Sequence, residues 1–155
     1  MNKENQVTWM LQAIKTAKGS TCLKRQVGAV IVKDNQLIAR GYNSSPPGVK
    51  GCNVKGYCIR AKSQSGKDLD NCYAVHAEMN AITECAKMGI SLAGATMYVT
   101  HYPCIHCLKN IIASGITTIV YDEYYPQEQI AKDIIEQSGV KLICLGEEPL
   151  IIWKR

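Results

Sequence analysis

Met97-Tyr98-Val99-Thr100-His101-Tyr102-Pro103-Cys104-Ile105-His106-Cys107 reads as a strand that runs into a helix. Met97 to Thr100 have the apolar, aromatic and β-branched composition of a buried strand. Pro103 ends the extended run, and the two cysteines after it lie one helical turn apart at a helix start. There the helix dipole and the unpaired backbone N–H groups favour thiolates. Upstream, His76-Ala77-Glu78 opens a second helical pattern, with Met79, Ile82 and Ala86 at helical intervals. His76, Cys104 and Cys107 together are three ligands for a tetrahedral zinc. The fourth corner is left for water, as in a catalytic rather than a structural site. Glu78 is an ionisable group that is not a ligand, placed to carry protons between that water and a leaving amine. Singly, each piece has a plainer explanation: helical cysteines can be buried apolar groups, and acids are favoured in a first helical turn. Their joint occurrence, with Pro103 and a strand-to-helix passage, points to metal chemistry.

Outward from this stretch, Val7, Met10, Leu11, Ile14 and Ala17 give one apolar stripe to a helix from about Asn5 to Lys18, closed by Gly19. Val27 to Val32 is a buried strand, Asp34-Asn35 a turn, and Gln36 to Tyr42 the returning strand of a hairpin. A helix from Ala77 to about Lys87 precedes the quoted strand, and a helix from Cys104 to Ser114 follows it, ended by Gly115. Ile116 to Tyr121 is then a strand, Pro126 to Gln137 a helix, and Val140 to Leu145 a short strand. This alternation predicts an α/β layer arrangement with parallel connections.

The stretch from Ser44 to Asn71 lacks periodicity, and such a segment inside a compact domain is expected to be ordered by a ligand or a metal. It holds Cys52 and Cys58, with Cys22 and Cys72 outside its ends. A second, closed zinc site on these four thiolates, offset by Lys50, Lys55 and Arg60, is one explanation; buried free thiols are the other. Cys85 and Cys144 read as core residues.

At 155 residues the chain is expected to form a single domain, 1–155. No apolar run approaches the roughly 18 residues of a membrane span, and Met1 to Gln6 lack a signal-peptide layout, so a cytoplasmic protein is expected. Eight cysteines in a chain of ordinary size, some at metal-ligand spacing, read as thiols. A formal charge of +5 without a basic block favours small anionic partners. Two Trp, eight Tyr and no Phe, with no dense basic stripe, argue against a polynucleotide channel. Arg25, beside the Ser20-Thr21 turn, suits a monophosphate clamp or a solvated surface role. His101 and Tyr102 stand at the mouth of the site as substrate contacts or surface residues; His106 is expected to point away from the metal.

The sequence resembles the deoxycytidylate (dCMP) deaminases, a branch of the cytidine deaminase-like zinc deaminases. The matching stretches are Ser20-Thr21-Cys22 with Arg25, Val27 to Val30, Gly41-Tyr42-Asn43, Pro46 with Gly48, His76-Ala77-Glu78 with Asn80-Ala81-Ile82, and Thr100 through Cys107. The resemblance implies a three-layer α/β/α fold around a mixed five-stranded sheet, and zinc-dependent hydrolysis of dCMP to dUMP and ammonia, supplying dUMP for thymidylate synthesis. It also implies a homo-oligomer, favoured as a hexamer, activated by dCTP and inhibited by dTTP with Mg2+, through a loop containing Pro46 and Gly48. Asn43 matches the position that hydrogen-bonds the sugar, Ala77 offers a backbone N–H near the pyrimidine carbonyl, and Arg25 and Tyr125 match the phosphate end. Lys24, Ser44 and Gly51 stand where relatives commonly carry Arg, Gly and His. Competing expectations are a deaminase of a nucleoside, free base, riboflavin precursor or nucleic-acid base, and a non-catalytic zinc-stabilised protein of DNA uptake. An intact Glu78 argues against the last.

Overall fold

The computed structural model describes residues 3–64, 67–123 and 129–146. Its strands are β1 (Gly28–Lys33), β2 (Gln36–Tyr42), β3 (Thr96–His101), β4 (Thr118–Glu123) and β5 (Lys141–Cys144). They form one five-stranded sheet in the order β2-β1-β3-β4-β5. Asp34 and Asn35 both take positive φ, 50° and 58°, which suits a two-residue turn joining antiparallel β1 and β2. β1 is also antiparallel to β3, whereas β3, β4 and β5 run parallel. The sheet is therefore mixed, and its parallel half is the part that alternates with helices in sequence.

The helices are α1 (Lys3–Ala17), a single turn α2 (Cys52–Lys55), α3 (Ala77–Met88), α4 (Ile105–Ala113) and α5 (Gln129–Ser138). α1 covers one face of the sheet, where Met10 and Ala13 pack with Val30, Val32, Tyr98 and Val120. α3, α4 and α5 cover the other, where Ala81, Cys85, Leu108, Ile111 and Ala131 meet Ala29, Ile31, Met97, Val99 and Ile119. Successive residues of β1, β3 and β4 serve opposite faces, so strands buried on both sides read as continuous apolar runs. This is the expected three-layer arrangement.

Two glycines set the spacing between layers. A Cβ on Gly28 would overlap the backbone of Ala13 and Ala17 in α1, and one on Gly41 the backbone of Ala77 and Ala81 in α3. The second contact matters more for function, because α3 begins beside His76.

β4 lies at 118–123 rather than Ile116 to Tyr121. Parallel pairing with β3, from Thr96 opposite Thr118 to His101 opposite Glu123, fixes its extent. Ile116 is instead a buried residue of the preceding turn. The final helix is described from Gln129, so residues 126–128 of the expected span lie outside the described residues. Between Ser44 and Asn71 the described backbone holds α2 and one 3-10 turn, Leu69–Asn71. Among the described residues no helix is long and apolar enough to cross a membrane.

Candidate active site

His76 and Cys104 occupy equivalent places: each is the N-cap residue of a helix, α3 and α4, with extended backbone and no side-chain capping bond. Helix N-caps are usually Ser, Thr, Asp or Asn, whose side chains satisfy the first N–H groups. Here both side chains turn instead toward a shared point. His76 Nδ1 lies 3.4 Å from Cys104 Sγ and 3.4 Å from Cys107 Sγ. Tetrahedral bonds of about 2.0 Å to nitrogen and 2.3 Å to sulfur put the two atoms about 3.5 Å apart, so the donors already stand at zinc-binding separation. Among the described residues this is the one group of three His, Cys, Asp or Glu whose ligand atoms lie within 4.8 Å of one another.

The protonation equilibria fit that arrangement. A hydrogen bond from Cys107 lowers the Cys104 thiol to about 4, while the same bond and burial push Cys107 up. Metal binding takes both sulfurs as thiolates, so it displaces any proton they hold. The hydrogen bond with Cys104 raises His76, against burial. Glu78, 4% exposed, has its carboxyl raised by burial, with His76 pulling the other way, and it hydrogen-bonds Cys107. A buried carboxyl held above its usual range beside a metal site can both accept and return a proton.

His76, Glu78 and Cys104 line a cavity of about 260 Å³. Its lining also includes Ala77, Asn43, His101, Tyr102, Arg25, Lys24 and Arg60. Asn43 is nearly buried and braces the wall: its Oδ1 accepts from Val27 N at 2.8 Å, and its Nδ2 donates to Arg25 O at 2.8 Å. His101 ends β3, its Nδ1 2.9 Å from Thr100 Oγ1 and its Nε2 3.1 Å from Glu123 Oε2. Tyr102 stacks edge-on against Tyr121, ring centroids 5.2 Å apart. Asn80 Nδ2 donates to Tyr42 O at 2.8 Å, tying the first turn of α3 to the end of β2.

A family profile described as "Cytidine and deoxycytidylate deaminase zinc-binding region" matches residues 3–123. The chain belongs to that family. ComE operon protein 2 of Bacillus subtilis (strain 168) is 42% identical over 144 residues, covering 93% of this chain and 72% of that protein. The deoxycytidylate deaminase of Schizosaccharomyces pombe (strain 972 / ATCC 24843) is 38% identical over 136 residues, which is 86% of this chain but only 42% of the yeast protein. The solved dCMP deaminase of cyanophage S-TIM5, in complex with dCMP and dUMP, aligns with a TM-score of 0.77 at 27% identity, covering 94% of this chain and 99% of that one. The fold is thus cytidine deaminase-like, and the metal that suits this family's His/Cys/Cys set is zinc.

Elsewhere in this deaminase-family chain, the other expected site residues fall into separate groups. Burial raises the Cys52 thiol, and Cys58, Cys22 and Cys72 act on it in the same direction, Cys58 through a hydrogen bond. No three of these four sulfurs lie within 4.8 Å of one another, unlike the ligand atoms of the His76 group. Cys22 and Cys72 also line the cavity. Pro46 and Gly48 lie in an exposed turn away from the cavity lining. His106 is exposed, between two inward-facing cysteines. Tyr125 lies outside the described residues. Lys24, Arg60 and Leu69 line the cavity without having been marked by sequence as substrate contacts. Arg60 had one available signal, its place two residues after Cys58.

Proposed function

We propose that this chain hydrolyses dCMP to dUMP and ammonia. The reading is carried by one observation: Glu78 is buried against a zinc-competent His/Cys/Cys trio and lines a cavity that Lys24, Arg25 and Arg60 also line. A substrate with both a base and a phosphate matches that combination of groups. A zinc held by His76, Cys104 and Cys107 supplies Lewis acidity and an acidified water. Glu78 takes one proton from the attacking water and delivers it to the ring nitrogen, then takes the second from the new C4 hydroxyl and gives it to the departing amine. Water's oxygen replaces nitrogen at the pyrimidine C4, and the C–N bond breaks. Ala77, first residue of α3, offers its backbone N–H to the pyrimidine carbonyl. Asn43 faces the sugar while bracing the wall, Tyr102 and His101 bound the base, and Arg25, with Tyr125, serves the phosphate end.

The same reading extends to the rest of the molecule. The thiols Cys22, Cys52, Cys58 and Cys72 hold a second, structural zinc that orders the segment between Ser44 and Asn71. Exposed Leu23, Val49, Val54, Tyr57 and Ile59 support self-association, as a hexamer by family resemblance. dCTP and dTTP, with Mg2+, regulate through the exposed turn of Pro46 and Gly48, and the protein acts in the cytoplasm to supply dUMP for thymidylate synthesis.

The test is a substrate panel of dCMP, CMP, deoxycytidine and dCTP, followed by the absorbance change from cytosine to uracil. dCMP is expected to give the highest kcat/KM. Glu78→Gln should lower kcat by about 10²–10⁴-fold with zinc retained, the range of general acid–base catalysis. Unchanged turnover by Glu78→Gln would overturn its role, and inactivity toward the whole panel would favour a non-catalytic protein of DNA uptake. The Bacillus relative's name specifies an operon rather than a reaction.

A further inference from the structure

The cavity lining carries three cationic side chains, Lys24, Arg25 and Arg60. Lys24 Nζ donates to the carbonyl oxygens of Arg60, at 3.1 Å, and Ser63. Arg60 donates from Nε and Nη2 to a single carbonyl, Lys67 O, at 3.1 and 2.6 Å. Carbonyl partners fix both cations in place without cancelling their charge. Two of the five guanidinium N–H groups are used, so the fork keeps donors for an anion. Arg60 differs from its neighbours in burial: it is half-buried, whereas Lys24 and Arg25 are exposed. A cation withdrawn from solvent is screened less, so it pairs more strongly with an anion. Its backbone is held by a compact turn, with Ala61 N donating to Cys58 O at 3.0 Å and Ser63 N to Arg60 O at 3.1 Å.

Resting on the dCMP reading above, we propose that Arg60 selects nucleotide over nucleoside by pairing with the 5′-phosphate, and that Lys24 is the strut that holds Arg60's turn against the cavity. Lys24 spans from the segment after Cys22 to the turn after Cys58, so it joins the two strands of chain that carry cations into the cavity. The phosphate end served by Arg25 thereby gains a residue of the aperiodic segment, apart from the helix starts that carry the zinc ligands. Binding and chemistry are divided between separate parts of the chain.

Arg60→Gln, which keeps a donor for Lys67 O, and Arg60→Ala are compared with wild type on dCMP and deoxycytidine. KM for dCMP should rise about 10- to 100-fold, with kcat within about twofold, as expected when binding energy unrelated to the chemical step is removed. The dCMP-to-deoxycytidine ratio of kcat/KM should fall by the same factor, and Arg60→Lys should recover part of it. Equal losses on both substrates, or a dCMP KM within about twofold of wild type, would overturn the assignment. Inorganic phosphate titrated by calorimetry supplies a readout independent of turnover, weakened at least about tenfold by Arg60→Ala if the pairing is right and unaltered if it is wrong. If wild type turns over no cytosine compound, the dCMP reading falls by itself, and the phosphate titration still decides Arg60.

Discussion

Asn43 shows what a single side chain does at this site. Its amide closes two hydrogen bonds across the loop 25–27, and its backbone N–H and carbonyl take part in three more, with Val27 O, Thr21 N and Ser20 Oγ. An amide so engaged holds the wall in shape before any sugar arrives. Asn43→Ala should therefore cost about 1–3 kcal/mol of stability from the unmet partners, visible as a lower thermal midpoint, and raise KM for dCMP. Asn43→Asp keeps the acceptor but loses the Nδ2 donor to Arg25 O, so it should retain part of the stability. Equal melting of all three proteins would show that the brace is unimportant. The sequence marked Asn43 through resemblance, as a sugar contact. It could not mark the brace, because Val27 and Arg25 are 16 and 18 residues away and meet it only after the hairpin folds.

Two elements, α3 and α4, deliver the chemistry by their first residues. The dipoles of both helices and their unpaired N–H groups converge where thiolates and a carboxylate sit. That convergence depends on α3 lying close over β2, which Gly41 permits because any Cβ there would strike the backbone of Ala77 and Ala81. Gly41→Ala should push the start of α3 away, separating His76 from Cys104 and Cys107. Zinc affinity, measured by competition with a chromogenic chelator, is expected to fall at least about tenfold, a loss of about 1.4 kcal/mol. Unchanged affinity would mean that α3 is not held by this contact. The helices themselves were legible, since the period of Met79, Ile82 and Ala86 and the Pro103-Cys104 break are local signals. Their mutual approach was not, because nothing local states the distance between a helix and a strand.

The whole molecule divides into a sheet with helices on both faces and an aperiodic segment stitched to it. Asn53 N donates to Thr21 O at 3.1 Å, and Ser44 and Val75 exchange bonds of 3.2 and 2.9 Å, so the segment is pinned at several places. If the thiols around Cys52 hold a structural zinc, elemental analysis of wild type gives two zincs per chain. Cys52→Ser then gives one, with faster proteolysis between Ser44 and Cys72 and the His76 site still loaded. One zinc in wild type would remove the second site. By itself the sequence marked His76, Glu78, Cys104 and Cys107 as candidates and located most elements, because each helix start, strand and pair of spaced residues is a local signal. Tertiary structure alone decided where β4 begins, which depends on register against β3. It also decided that Asn43 is a brace and that Arg60 reaches the cavity, since both follow from contacts between segments far apart in the chain, which no local pattern encodes.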